Sequence, residues 1–321
     1  MKKLAAFILG ISITLPACGI GLLVEPQPIP TVFIPPITPT VQQESIPTAI
    51  IPTTTPSPAA TIITSTSTNT PPPPIPTIPW VKQGPGAVTV PILMYHHIGS
   101  SEKNIRYYMS PENFEQEMKL LYEWGYTTIT TEMMVKAILE GTDLPARPVI
   151  VTFDDGGLNN YTTAFPIMQK YGFQGVLYLV PNYIGADGFM NVDQIKEMIS
   201  AGWEVGSHSM SHKDLITLDT DQITRELTVS KETLEQLLGV PVTTFAYPFA
   251  SYTEGIVERV RLAGYSCAMG VSYLNEHSVE GLFQLHRREI KGTYDLNNFI
   301  LFLPWQGDLS LLPGNTPTPE Q

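Results

Sequence analysis

Cysteine is almost missing from this chain: Cys18 and Cys267 are the only two in 321 residues. A scaffold stapled by several disulfides is excluded, so a folded region must hold together by its core. Basic residues are also scarce. Eighteen Lys and Arg face thirty Asp and Glu, the formal net charge is −12 at pH 7, and the cations form no cluster. That balance argues against a nucleic-acid partner, and no protein partner is evident. No Gly-rich phosphate loop, heptad or internal repeat occurs, which weighs against dinucleotide folds, coiled coils and solenoids.

What is present begins with a basic start, Met1-Lys2-Lys3, then an apolar run from Leu4 to Leu15 and a close at Leu15-Pro16-Ala17-Cys18. This is the layout of an export signal, and the run is too short for an ordinary membrane span. Cys18 after the small Ala17 resembles a bacterial lipobox, whose cysteine is lipidated. Residues 1–18 are therefore expected to be a signal peptide, leaving the chain exported and lipid-anchored on the outer face of the cell membrane; the alternative is simple secretion. Residues 19–86 are dominated by Pro, Thr, Ser and Ile, with Pro71 to Pro74 consecutive. Such a stretch supports neither helix nor sheet and reads as a disordered, partly polyproline-II stalk. A disordered tail is expected over 306–321.

Between them, residues 87–305 alternate apolar, β-branched runs with amphipathic segments about seven times. Ser110 before Pro111, Thr130 or Thr131, and Asn191 are the expected N-caps, and a long helix is expected from Thr220 to Leu238. A last strand is expected from Phe283 to Ile290. This alternation implies an α/β fold with a parallel sheet, closed or nearly closed as a (β/α) barrel.

The stretch Val149-Ile150-Val151-Thr152-Phe153-Asp154-Asp155-Gly156 reads as a strand buried on both faces that ends in two adjacent carboxylates. Like charges so close call for a proton or a cation. Ligands in α/β folds gather at such strand exits. The blander reading is an acidic Asp-Gly turn. Another strand exit carries His208-Ser209-Met210-Ser211-His212. Histidines four apart share one face of a helical turn, so both could reach one ion. Alone they read as surface residues. With a carboxylate pair at a comparable exit, one Asp and two His suit a catalytic divalent metal, and the other Asp is spare to act as base. Cys267 reads as a small buried hydrophobe rather than a nucleophile.

Thr152-Phe153-Asp154-Asp155-Gly156 and His208-Ser209-Met210-Ser211-His212 together resemble the first two motifs of the polysaccharide deacetylases, the NodB-homology domain of carbohydrate esterase family four. Tyr95-His96-His97, Phe245-Ala246-Tyr247-Pro248-Phe249 and Leu285-His286-Arg287 are similar too, especially to the branch acting on poly-N-acetylglucosamine. The resemblance covers roughly Pro91 to Phe302. It implies a distorted (β/α)₇ barrel and metal-dependent removal of N-acetyl groups from an envelope or extracellular polysaccharide. Asp155, His208 and His212 match the metal ligands and Asp154 the general base. The metal implied is Zn²⁺ foremost, with Co²⁺, Ni²⁺ or Mn²⁺ as alternatives. A backbone N–H around Tyr247, Pro248 and Phe249 would hold the oxyanion. His96 is favoured over His286 as the acid. Ala246 departs from the arginine that many members carry to orient the base, and Arg287 or Arg288 would have to replace it. Two other readings are an O-acetyl esterase on xylan-type glycans and an inactive carbohydrate-binding module displayed on the stalk.

Overall fold

The computed structural model describes residues 78–312. Among the described residues the main sheet has eight strands, of which seven form a continuous path: β1 (Ile92–Tyr95), β2 (Pro148–Asp155), β3 (Val176–Leu179), β4 (Glu204–Ser207), β5 (Thr244–Ala246), β6 (Cys267–Met269) and β7 (Arg288–Glu289), while the short strand Thr127–Thr128 pairs in parallel with the start of β2. The order along that path is β6-β5-β4-β3-β2-β1-β7, and every neighbouring pair is parallel. The segment entering β7 also bonds to β6: Leu285 N–H donates to Ala268 O at 2.9 Å, and Gly270 N–H to Leu285 O at 2.8 Å. The sheet therefore curls as a distorted barrel does. The expected strand over 283–290 is shortened to Arg288–Glu289, because Leu285 bridges to Met269 while Arg288 and Glu289 pair with β1.

Period-two alternation sorts the strands into two cores. Ile92, Ile150, Val176, Tyr178 and Met269 face the inside, while Leu93, Val151, Phe153, Leu177 and Phe245 pack beneath the helices. Both faces of β2 are buried from Pro148 to Asp154, as its unbroken apolar run requires. Gly206 makes room on the inner face, since a Cβ there would lie 2.4 Å from a Tyr178 ring carbon.

The helices start where side-chain caps allow. Ser110 Oγ accepts from Asn113 N–H at the head of α1 (Pro111–Glu123), and Thr130 caps α2 (Thr131–Glu140). The chain enters α3 (Phe165–Lys170) through a π-helical turn, Asn160–Ala164. Asn160 is buried there and donates to His96 O at 2.9 Å, tying two strand exits together. Full capping boxes open α4 (Val192–Ser200) and α5 (Thr220–Leu238). A sixth helix, α6, spans Glu254–Leu262, and α7 spans Leu296–Phe299. Among the described residues no helix is long and apolar enough to cross a membrane.

Both expected domain edges move outward. Trp80–Gln83 pairs antiparallel with Thr142–Pro145, so ordered chain begins before Ala87. Those four residues contain no proline and can fill a sheet edge. At the other end Tyr126 Oη donates to Trp305 O, and Trp124 Nε1 donates to Asp308 O, holding a residue assigned to the tail. Residues 1–77 and 313–321 lie outside the described residues, and with them the signal segment, Cys18 and most of the stalk.

The first helix carries a buried acid. Glu117 of α1 accepts from Tyr95 Oη at 2.7 Å. Burial pushes its carboxyl up to about 8, against the smaller opposing effect of that hydrogen bond. A folded-state pKa above the unfolded one means the folded chain holds the extra proton, so stability falls as pH rises from about 4.5 to 8. Glu117→Gln should match the unaltered chain at pH 5 and exceed its stability by about 2–4 kcal/mol at pH 9. Denaturant unfolding at both pH values checks this; equal stability at pH 9 would refute it.

Candidate metal centre and active site

The carboxyl ends of β1, β2, β4 and β5 open onto one cleft of about 480 Å³. β2 delivers Asp154 and Asp155. Asp155 adopts φ 73°, and Gly156 follows at φ 82°, where a Cβ would press on Leu179 at 2.8 Å. This bend turns Asp155 toward the histidines. His208 follows β4, and its Nδ1–H donates to Ala246 O at 2.8 Å, which leaves the Nε2 lone pair facing the carboxylates. Nε2 lies 3.8 Å from an oxygen of each aspartate, and His212 Nε2 lies 3.4 Å from Asp155 Oδ1. One donor atom each from Asp155, His208 and His212 can be chosen so that all lie within 4.8 Å of one another.

The two histidines do not share a helical turn as their spacing predicts. Their loop is irregular, with Ser209 at φ 65° and His212 at φ 55°. Among the described residues the five non-glycine positive φ values belong to Asp155, Ser209, His212, Phe249 and Ala250, all at this site. Each costs on the order of 1–2 kcal/mol, so the surrounding packing must enforce them.

The charge states suit a cation. Burial pushes His208 down to about 4 and lowers His212, so both imidazoles are neutral with free lone pairs. Burial pushes Asp155 up to about 6, with His96 opposing and Asp154 adding to it. Asp155 Oδ1 is buried with no hydrogen-bond partner among the described residues. An orphaned carboxylate oxygen beside two imidazole nitrogens is a fitting donor set for a borderline divalent ion.

Asp154 is treated differently. Arg287 rises through the barrel and clamps it in bidentate fashion, Nη1 to Oδ1 at 2.6 Å and Nη2 to Oδ2 at 2.9 Å. Arg287 is 1% exposed; it also donates to Thr152 Oγ1 and Gly270 O and lies over the Tyr178 ring. Burial alone would raise the Asp154 carboxyl, but the charge and the hydrogen bonds of the Arg287 guanidinium hold it down to about 2. The two neighbouring acids thus differ by environment alone.

The polysaccharide deacetylase family model matches residues 141–268. The Bacillus subtilis protein YxkH, named within the polysaccharide deacetylases, is 30% identical over 208 residues, which are 65% of this chain and 73% of that one. This chain belongs to the polysaccharide deacetylase family. The poly-beta-1,6-N-acetyl-D-glucosamine N-deacetylase of Staphylococcus aureus is 27% identical over 180 residues, covering 51% of this chain and 62% of the relative. The Streptococcus pyogenes deacetylase PplD, solved in complex with acetate, superposes with a TM-score of 0.62 at 25% identity, covering 67% of this chain and 98% of that one.

Arg287 brings to Asp154 a guanidinium that Ala246 cannot supply. Arg288 does not: it lies over Tyr273 and Phe302, outside the cleft. His286 packs 5.8 Å from His277, away from the residues that line the cleft. His96 does line it, 4.8 Å from the Tyr107 ring, and burial lowers its pKa. His97 stacks on Tyr108. Of the three residues expected to offer an oxyanion donor, Tyr247 uses its N–H on Met269 O and Pro248 has none. The Phe249 N–H alone has no partner among the described residues. Sequence reading missed Asn104, Arg106, Tyr107, Tyr108 and Glu289 on the cleft wall. Arg106 and Glu289 form a bidentate pair at 2.6 and 2.7 Å across 183 residues, a separation with no local signal.

Proposed function

We propose that this chain is a metal-dependent hydrolase that removes N-acetyl groups from a polysaccharide containing N-acetylglucosamine. The observation that carries the reading is the gathering of Asp155, His208 and His212 around one point, with the clamped Asp154 beside them. Those three residues would hold the divalent ion, with Zn²⁺ the best match to two imidazoles and a carboxylate. When bound, such an ion lowers the pKa of water and polarises the acetamide carbonyl.

Asp154 is ionised throughout the working pH range and faces the same cleft, so it accepts the proton of the attacking water. Its link to Arg287 fixes which way both oxygens point. The Phe249 N–H is the backbone donor for the carbonyl oxygen as it gains charge. His96 hands a proton to the departing amine nitrogen. Burial lowers its pKa, so it takes up that proton within the cycle, and the proton that Asp154 received from water is the source that closes the balance. The S. aureus relative favours a β-1,6-linked N-acetylglucosamine polymer as the substrate. Anchoring by a lipid on Cys18, at the outer face of the cell membrane, belongs to the same reading and rests on the layout of residues 1–18.

Acetate release by the full chain tests the reading, using β-1,6-N-acetylglucosamine oligomers, peptidoglycan and acetylated xylan, each with Zn²⁺ or a chelator. Release from the oligomers should fall at least about 100-fold with chelator and return with added metal. Release that ignores the chelator would remove the metal. Preference for xylan would make the chain an O-acetyl esterase, and metal and sugar binding without release would make it a binding module.

A further inference from the structure

The two histidines are held in unlike ways. His208 has its ring fixed directly, by Nδ1–H donating to Ala246 O. The His212 ring has no such partner on another element among the described residues; Phe249 packs against it at 4.7 Å, and its direction follows from its backbone. That backbone is in the left-handed region at both Ser209 and His212, where an unsupported loop would relax to negative φ.

One side chain spans the loop between them. Glu226 of α5 is buried, and both of its carboxylate oxygens go to Ser211: Oε2 accepts the N–H at 2.8 Å and Oε1 accepts the hydroxyl at 2.5 Å. Its backbone carbonyl takes the Met210 N–H at 3.1 Å. Within the loop, Ser209 Oγ accepts the His212 N–H at 3.0 Å. Glu226 makes no ion pair among the described residues, so its charge is balanced only by these donors. A buried carboxylate in that position is costly unless the loop keeps its shape.

We propose that Glu226 is a positioning residue for the metal centre: it holds the 208–212 loop in its strained form through Ser211 and thereby aims His212 at Asp155. The proposal rests on the metal-centre reading above. Outer partners of metal ligands commonly change affinity by 10–100-fold when removed. Here the partner acts one step further out, through backbone geometry.

The test compares the full chain with Glu226→Ala, Glu226→Gln, Ser211→Ala and His212→Ala, measuring Zn²⁺ affinity by competition with a chromophoric chelator. The ligand-field bands of Co²⁺ added alone give a second readout that a general loss of stability does not move. Glu226→Ala should weaken Zn²⁺ at least about 10-fold and alter the Co²⁺ bands, approaching His212→Ala. Glu226→Gln, which can still accept the Ser211 N–H and donate to its hydroxyl, should stay within about 3-fold of the unaltered chain. Ser211→Ala should fall between. Circular dichroism of the metal-free forms confirms folding, and if Glu226→Ala does not fold, Ser211→Ala against Glu226→Gln decides. Unchanged affinity and bands in folded Glu226→Ala, or unchanged Ser211→Ala where it alone folds, would overturn the positioning role and leave the metal centre standing. An unaltered chain that binds neither ion would overturn the metal centre and this role together.

Discussion

Asp154→Asn should slow acetate release by about 10³-fold, with the loss in kcat, while Zn²⁺ affinity stays within a few-fold. The amide matches the carboxylate in shape but cannot accept a proton from water at neutral pH. Asp155, His208 and His212 keep their places, because none of their hydrogen bonds runs through Asp154. The chain should also lose stability, on the order of 2–4 kcal/mol, since Arg287 is left buried opposite a neutral group. These two losses can be separated. Adding Arg287→Met to Asp154→Asn removes the unpaired charge and should recover most of the stability while acetate release stays at the floor. Recovery of turnover in the double variant would mean that Asp154 serves only to neutralise Arg287 and that the base is elsewhere.

Elements with local causes were legible in the sequence. The ranges of α4 and α5 follow from Asn191 and from the chain around Thr220, where side-chain caps and amphipathic period agree. The buried run of β2 and its two terminal acids were legible for the same reason, since both faces of that strand demand apolar residues until the chain leaves the sheet. His208 and His212 were found from a helical spacing argument that the structure does not support. Their convergence comes from two left-handed residues, Ser209 and His212, in a backbone region uncommon for any residue but glycine. Arg287 and Arg288 could not be told apart. The choice depends on the register of β7 against β1, which sets Arg288 opposite Leu93 and leaves Arg287 inside the barrel. Glu226 and the Arg106–Glu289 pair left no local trace, because each joins elements that meet only in the finished fold.

The five non-glycine left-handed residues found among the described residues gather at the end of the barrel where Asp154 and Asp155 leave the sheet. Its electrostatics divide between two carboxylates one residue apart. Asp155 faces neutral imidazoles and keeps an orphaned oxygen, whereas Asp154 is fully paired. The pairing is one guanidinium deep, and that makes Arg287 the second sensitive point.

Arg287→Met should destabilise the chain by about 3–5 kcal/mol at pH 7 and cut acetate release by 10²–10³-fold. The sign with pH follows from Asp154. In the unaltered chain its folded pKa, about 2, lies below the ordinary 3.8, so it adds stability above pH 3.8 that is lost as pH falls toward 2. Without the guanidinium, burial is the largest remaining influence and raises the carboxyl above its ordinary value. The folded variant then holds the proton more tightly than its unfolded form, and its stability declines as pH rises through the acid range. The gap between variant and unaltered chain should therefore be small near pH 2, open as pH rises and level off near neutrality, and the acid limb of acetate release should move to higher pH. Arg288→Met, which removes a guanidinium lying over Tyr273 and Phe302, should leave that limb where it is. Denaturant unfolding from pH 3 to 8 and a pH–rate profile decide it. A variant that keeps both the stability profile and the acid limb of the unaltered chain would show that Asp154 is held ionised by something other than Arg287.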